Sequence, residues 1–170
     1  MLNINRHLSS AAIFDLDGTL IPHTSAERIF FFHLIRTGNL SFVNILEMLS
    51  TIWTAHGNFH ALTRTNKCYL KNKSVKRLKN AARKYFEPQI PNMVFPKMLE
   101  TIEINRRQGK RLLLLTGTLD IIAECFVRSL RLDGFRAGTL QIRNGRYTGK
   151  IDGILPYGIG KLEILREFKT

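Results

Sequence analysis

Apolar and polar positions give the chain three textures. Residues 11–14 (Ala-Ala-Ile-Phe) and 111–115 (Arg-Leu-Leu-Leu-Leu) are short apolar runs without alternation, the pattern of strands buried on both faces. Between them lies helical periodicity. Ser25 is placed to cap a helix over 26–37 that carries Ile29, Phe30, Phe32, Leu34 and Ile35, with Gly38 at its C-terminal end. A second helix over 41–53 has a core-type stripe of Phe42, Ile45, Leu46, Leu49, Ile52 and Trp53. Phe31, Val43 and Met48 add apolar surface on other faces, so a membrane-facing or partner-facing patch is the alternative. A further helix is expected over 62–70. Ser74 then caps one with Val75, Leu78, Ala81, Ala82, Tyr85 and Phe86 on one face, ended by Pro88 and Pro91.

After Pro96 a helix runs to Gly109, the strand 111–115 follows, and another helix begins near Asp120 with Ile121, Ile122, Cys125, Phe126 and Leu130. The third texture is alternation. Leu140 and Ile142, then Tyr147, Gly149 and Ile151, flank Asn144-Gly145, the strongest short hairpin signal. Gly160-Lys161 opens a last helix with Leu162, Ile164, Leu165 and Phe168. Strands separated by helices predict an α/β fold with a parallel sheet.

At 170 residues and 44% apolar content, the chain can build one core with a small insert. Cys68 and Cys125 make no disulfide framework and no paired metal-ligand spacing, and they read as reduced thiols. No stretch approaches the roughly 18 apolar residues that span a bilayer, and no signal peptide is visible. The expectation is a cytoplasmic protein, with a peripheral position at the membrane as the alternative. The net charge is +13, and nine of the 26 basic residues stand between Arg64 and Lys84 without an intervening acid. A solvated helix face accounts for such a run; steering of anionic substrates and an anionic membrane surface are the other readings. Nucleic acid is the weakest, since no recognised binding motif accompanies the charge.

The candidate chemistry starts where the first strand ends. Asp15 and Asp17 stand one residue apart before Gly18, and two acids at the end of a buried strand cost free energy unless a cation neutralises them. Strand ends are also where open parallel sheets bind ligands. An EF-hand would need Asp or Asn at its fifth position and Gly at its sixth, where Thr19 and Leu20 stand. Thr116-Gly117-Thr118, between a buried strand and a helix start, can cradle an anion with a hydroxyl and backbone N–H groups. Lys161 opens a helix, which the macrodipole disfavours unless an anion sits nearby.

Asp15-Leu16-Asp17-Gly18-Thr19 resembles the first motif of the haloacid dehalogenase-like hydrolases; Thr116-Gly117 resembles the second, and Tyr157-Gly158-Ile159-Gly160-Lys161 the third. The helices between the first two motifs, and the hairpin before the third, resemble the phosphoserine-phosphatase-like branch, subfamily IB. The resemblance implies a Rossmann-like core (residues 1–22 and 91–170) with a helical cap inserted over 23–90. It implies a Mg²⁺-dependent phosphomonoesterase working on a small phosphorylated metabolite through an aspartyl-phosphate. Asp15 would be nucleophile and metal ligand, and Asp17 general acid/base and metal ligand through its backbone carbonyl. Thr116, Gly117 and Lys161 would bind the phosphate. The family's fourth motif, which supplies a further metal carboxylate, has no counterpart up to Thr170. The core is therefore expected to be incomplete, with residues 11–14 as an exposed edge, metal affinity and turnover impaired, and the chain a fragment of a longer phosphatase. The alternatives are completion by another chain, a decayed gene product, or a non-catalytic anion-binding or membrane-surface module.

Overall fold

The computed structural model describes residues 10–22, 25–54, 67–158, 160–161 and 163–164, with the backbone alone at 47 and 51–54. The elements are β1 (Ala11–Phe14), α1 (Ala26–Arg36), α2 (Phe42–Thr54), a 3₁₀ turn (Cys68–Leu70), α3 (Val75–Phe86), α4 (Ile90–Met93), α5 (Pro96–Arg107), β2 (Arg111–Leu119), α6 (Asp120–Ser129), β3 (Gly134–Arg143) and β4 (Arg146–Asp152). They form the expected α/β fold: one four-stranded sheet in the order β1-β2-β3-β4. β1 and β2 pair in parallel from Ala11↔Arg111 to Phe14↔Leu114; β2 and β3 also pair in parallel, and β4 returns antiparallel.

The hairpin turns on Asn144 and Gly145, both at positive φ (49° and 73°), the backbone that Asn-Gly favours in a two-residue connection. β4 is not an open edge. Its far side is bonded to the chain between β1 and β2 through Lys67 N–H to Gly149 O (2.8 Å), Asn72 N–H to Tyr147 O (2.9 Å) and Val75 N–H to Gly145 O (3.1 Å). Gly149 is required there: at φ +87°, a Cβ would stand 3.2 Å from the Cys68 Cα. β1, by contrast, pairs only with β2 among the described residues, and Ala11 and Ile13 on it are exposed.

Side chains alternate across the sheet. Phe14, Leu112 and Leu114 point into the main core with Phe30, Phe86 and Phe126, whose rings stack in series with centroids 5.8 Å apart at each step. Ile13, Leu113 and Phe135 line a shallow cavity of about 180 Å³.

Four local expectations are corrected. The expected helix over 62–70 is a 3₁₀ turn in its described part, Cys68–Leu70, because the chain there is committed to bonding β4; residues 62–66 lie outside the described residues. β2 continues to Leu119 rather than ending at Leu115. It stays extended because β3 closes in at Gly138, where a Cβ would stand 3.1 Å from Gly117 O and 3.3 Å from Thr118 O. Ser25 occupies the N-cap position of α1 but makes no side-chain cap bond. Most consequential, the stripe expected to be core on α2 faces outward: Phe42 is 73% exposed, Leu46 47% and Leu49 51%. The inward positions are Asn44, which is buried and donates through Nδ2 to Lys71 O (3.3 Å), and the partly buried Met48. The side chains of Ile52 and Trp53 lie outside the described residues. Ser74, in contrast, caps α3 as expected, accepting from Arg77 N–H.

Phe126 ends the aromatic series and is fully buried. Phe126→Ala is expected to cost about 3–5 kcal/mol by cavity formation. Ile104→Ala, at a 55% exposed position, should change stability by less than about 0.5 kcal/mol. Urea unfolding of the two variants checks the contrast.

Candidate functional site

β1 ends at Phe14 opposite Leu114, so the acids that follow β1 and the hydroxyls that end β2 leave the sheet side by side. Gly18, at φ +77°, lets the chain turn at once, and the Leu16 carbonyl accepts from the N–H groups of Thr19, Leu20 and Ile21 within that turn. This tight loop fixes both carboxylates.

Asp15 Oδ1 accepts from the Leu16 N–H (2.9 Å) and pairs with Lys161 Nζ at 2.8 Å. No hydrogen bond or ion pair among the described residues engages its other oxygen. Lys161 arrives from the far end of the chain through a close turn. Tyr157 N–H bonds Leu155 O (2.7 Å), Gly160 N–H bonds Tyr157 O (3.0 Å), and a Cβ on Gly160 would stand 2.3 Å from Leu155 O. Only glycine fits, and helix begins at once, with Gly160 and Lys161 both helical. The same loop reaches the end of β2, where a Cβ on Gly117 would lie 3.5 Å from Pro156 O and the Tyr157 ring. Leu162, Leu165 and Phe168 lie outside the described residues.

Asp17 faces the other way. Its Oδ1 accepts from the Ala26 N–H (2.8 Å) and its Oδ2 from the Thr118 hydroxyl (3.1 Å). Asp17 thus satisfies the first free amide of α1, while Ser25 at the N-cap position makes no side-chain cap bond. Burial pushes the Asp17 carboxyl above the ordinary carboxylate range. The two hydrogen bonds act against that rise, and the charges of Asp15 and Glu27 add to it. Thr116 is buried, and its Oγ1 accepts from the Thr118 N–H (3.1 Å), which leaves its own proton to donate elsewhere.

The structure thus brings Asp15 to Lys161 and Asp17 to Thr118, with Thr116 and Gly117 on the adjoining strand end. Sequence reasoning passed over Thr118 as a participant, although Thr116 and Thr118 are two apart on an extended run and so share a side. It also passed over Glu27, which is tied by Lys67 Nζ (2.6 Å) and by the Tyr69 hydroxyl (2.7 Å). Both partners are buried, and burial followed by the Glu27 charge raises the Tyr69 phenol well above its ordinary range. Lys67 is also bonded to β4, so this cluster fastens α1 to the hairpin.

For a Mg²⁺ ion the chain offers the unengaged Asp15 oxygen and the Asp17 carbonyl. These suit an ion that takes one or two carboxylates and completes its octahedron with phosphate oxygens and water. No group of three or more His, Cys, Asp or Glu gathers among the described residues. Cys68 and Cys125 are both free thiols, and no described helix is long and apolar enough to cross a membrane. Within the basic run, Lys79 pairs with Glu124 (3.2 Å) and Arg83 with Glu87 (3.3 Å). Arg64 lies outside the described residues.

The sequence model of the haloacid dehalogenase-like hydrolases matches residues 12–169. No curated protein matches the chain. Among solved structures, a protein of unknown function from Bordetella pertussis Tohama I superimposes with a TM-score of 0.73 at 21% identity, covering 94% of this chain and 74% of that one. A phosphoserine phosphatase solved as a phospho-aspartyl intermediate analogue gives 0.56 at 21% identity, covering 94% and 70%. A haloacid dehalogenase family hydrolase from Salmonella enterica serovar Typhi gives 0.59 at 17% identity, covering 95% and 52%. At these identities the structural likeness is one of fold.

Thr118→Val removes a bond that stabilises the charged form of Asp17, so the Asp17 carboxyl should titrate at still higher pH than in the wild type, while Thr118→Ser should restore it. Between the ordinary carboxylate range and the raised value, the native state keeps a proton that the unfolded chain has lost, so Asp17 lowers stability as pH rises through that window, and Thr118→Val widens it. A carboxyl NMR titration of the three proteins checks the order; an unchanged or lower Asp17 midpoint in Thr118→Val counts against it.

Proposed function

The chain belongs to the haloacid dehalogenase-like hydrolase family, and from that membership we propose that it is a phosphomonoesterase of the phosphoserine-phosphatase-like branch. Its substrate would be a small phosphorylated metabolite. The observation that carries this reading is the 2.8 Å pairing of Lys161 with Asp15 at the joint ends of β1 and β2. A cation fixed beside one carboxylate aims it and offsets the charge of an arriving phosphate. The fold shared with structures of phosphoserine phosphatases, one of them substrate-bound, supports the same reading.

Asp15 attacks phosphorus in line; a bond forms from its oxygen to phosphorus, and the ester P–O bond breaks. The raised Asp17 carboxyl delivers its proton to the departing alkoxide oxygen. Asp17, now a carboxylate, takes a proton from water, which attacks the aspartyl-phosphate and returns Asp15 and inorganic phosphate. The Thr116 hydroxyl and the Gly117 N–H hold non-bridging oxygens throughout, and Lys161 balances their charge. Mg²⁺, held by Asp15 and the Asp17 carbonyl, would add further charge stabilisation at the phosphate. Residues 23–90 act as the cap over this site, with Asp17 bonded directly to the first amide of its first helix.

With p-nitrophenyl phosphate and Mg²⁺, Asp15→Asn should lower kcat at least about 10³-fold, the scale on which loss of a nucleophile registers. Activity that survives this substitution removes Asp15 as nucleophile. Chelation with EDTA should abolish turnover reversibly, with recovery on adding Mg²⁺; turnover indifferent to EDTA removes the metal from the reading.

A further inference from the structure

Helix α2 turns most of its described apolar side chains outward. In a surface helix, apolar side chains normally face the core and polar ones face water. Here the buried position is Asn44, held by Ser41 and the Lys71 carbonyl, while Phe42, Val43, Leu46 and Leu49 are exposed at 73%, 64%, 47% and 51%. On a helical projection these four fall on one continuous arc. An outward arc of four large apolar residues is unusual for a surface with no partner.

The charge of the chain decides between occupants. A net charge of +13 sets two copies against each other, so self-pairing of this face works against repulsion. The same charge favours an acidic surface. The exposed Arg28 lies over the ring of Phe32, itself 52% exposed, at 6.0 Å. The exposed Lys71 lies on the inner side of α2, where its carbonyl accepts from Asn44. Glu27, the acid on α1, is turned inward onto Lys67 and Tyr69.

We propose that the outer face of α2 is a docking surface for an anionic lipid bilayer. Phe42, Val43, Leu46 and Leu49 enter the boundary between headgroups and acyl chains, and the excess positive charge of the chain draws it to the anionic headgroups. The mode is that of an amphipathic helix lying in the membrane plane. It goes beyond the phosphatase reading and does not depend on it, because vesicle binding is measured without turnover.

The test is co-sedimentation of the full chain with vesicles of phosphatidylcholine alone and of phosphatidylcholine mixed with phosphatidylglycerol, at low and high salt. The expected result is binding to the mixed vesicles, weakened by salt, and at least about tenfold weaker in the double variant Leu46→Glu/Leu49→Glu, since a charge on the buried face opposes insertion. The milder Leu49→Ala should show a smaller loss in the same direction. Circular dichroism and thermal melting of the Glu variant should match the wild type, since both positions face solvent. Four outcomes overturn the proposal: no binding to the mixed vesicles, equal binding to phosphatidylcholine alone, binding indifferent to both variants, or a wild-type dimer in sedimentation equilibrium that the Glu variant dissociates. A marked loss of thermal stability in the Glu variant does so too, because it shows the face to be covered from within the chain.

Discussion

Two carboxylates leave the end of one strand, and each is answered by a partner from elsewhere in the fold. The chain answers them in opposite directions and with different chemistry. Asp15 meets a full positive charge from Lys161. Asp17 meets only dipoles, the Ala26 amide and the Thr118 hydroxyl. Burial raises the Asp17 carboxyl above the ordinary carboxylate range, and its two neutral donors act against that rise. One strand end therefore presents two acids of unlike character two residues apart, and much of the fold serves to bring their partners in. The parallel pairing of β1 with β2 supplies Thr118, the turn at Gly160 supplies Lys161, and the start of α1 supplies the amide.

The sequence announced the site more fully than its wiring. Asp15, Asp17, Thr116, Gly117 and Lys161 were legible because each stands at a strand end or a helix start, positions that local pattern reveals. The core helices and the hairpin were legible for the same reason, through 3.6-residue and two-residue periods and the Asn144-Gly145 turn. Bonds formed between distant segments were not. Thr118 acts on Asp17 from another strand, and Glu27 gains meaning only through Lys67 and Tyr69, some forty positions on. Ser25 has the right residue type for a cap yet makes no side-chain cap bond, while a carboxylate from the preceding loop satisfies the first amide of the helix. Local propensity names what could cap a helix, and tertiary structure decides what does.

The faces of α2 show a second limit. Periodicity establishes that a helix has an apolar stripe, but not which way the stripe points. Asn44 settles it here, because a buried amide with partners at Ser41 and Lys71 fixes the rotation of the helix about its axis. The cost is an apolar arc in water, a cost that burial against another surface removes.

Under the proposed mechanism, the bond from Ala26 to Asp17 joins proton transfer to mechanics. A helix N-terminus carries partial positive charge, so it holds an ionised carboxylate more firmly than a neutral one. Each time Asp17 gains a proton, the grip on α1 weakens, and each time the proton leaves, it tightens. The protonation state of a single oxygen pair is thereby written into the tension on α1, and if Asp17 cycles its proton as proposed, that helix feels each half of the cycle as a change in tether strength.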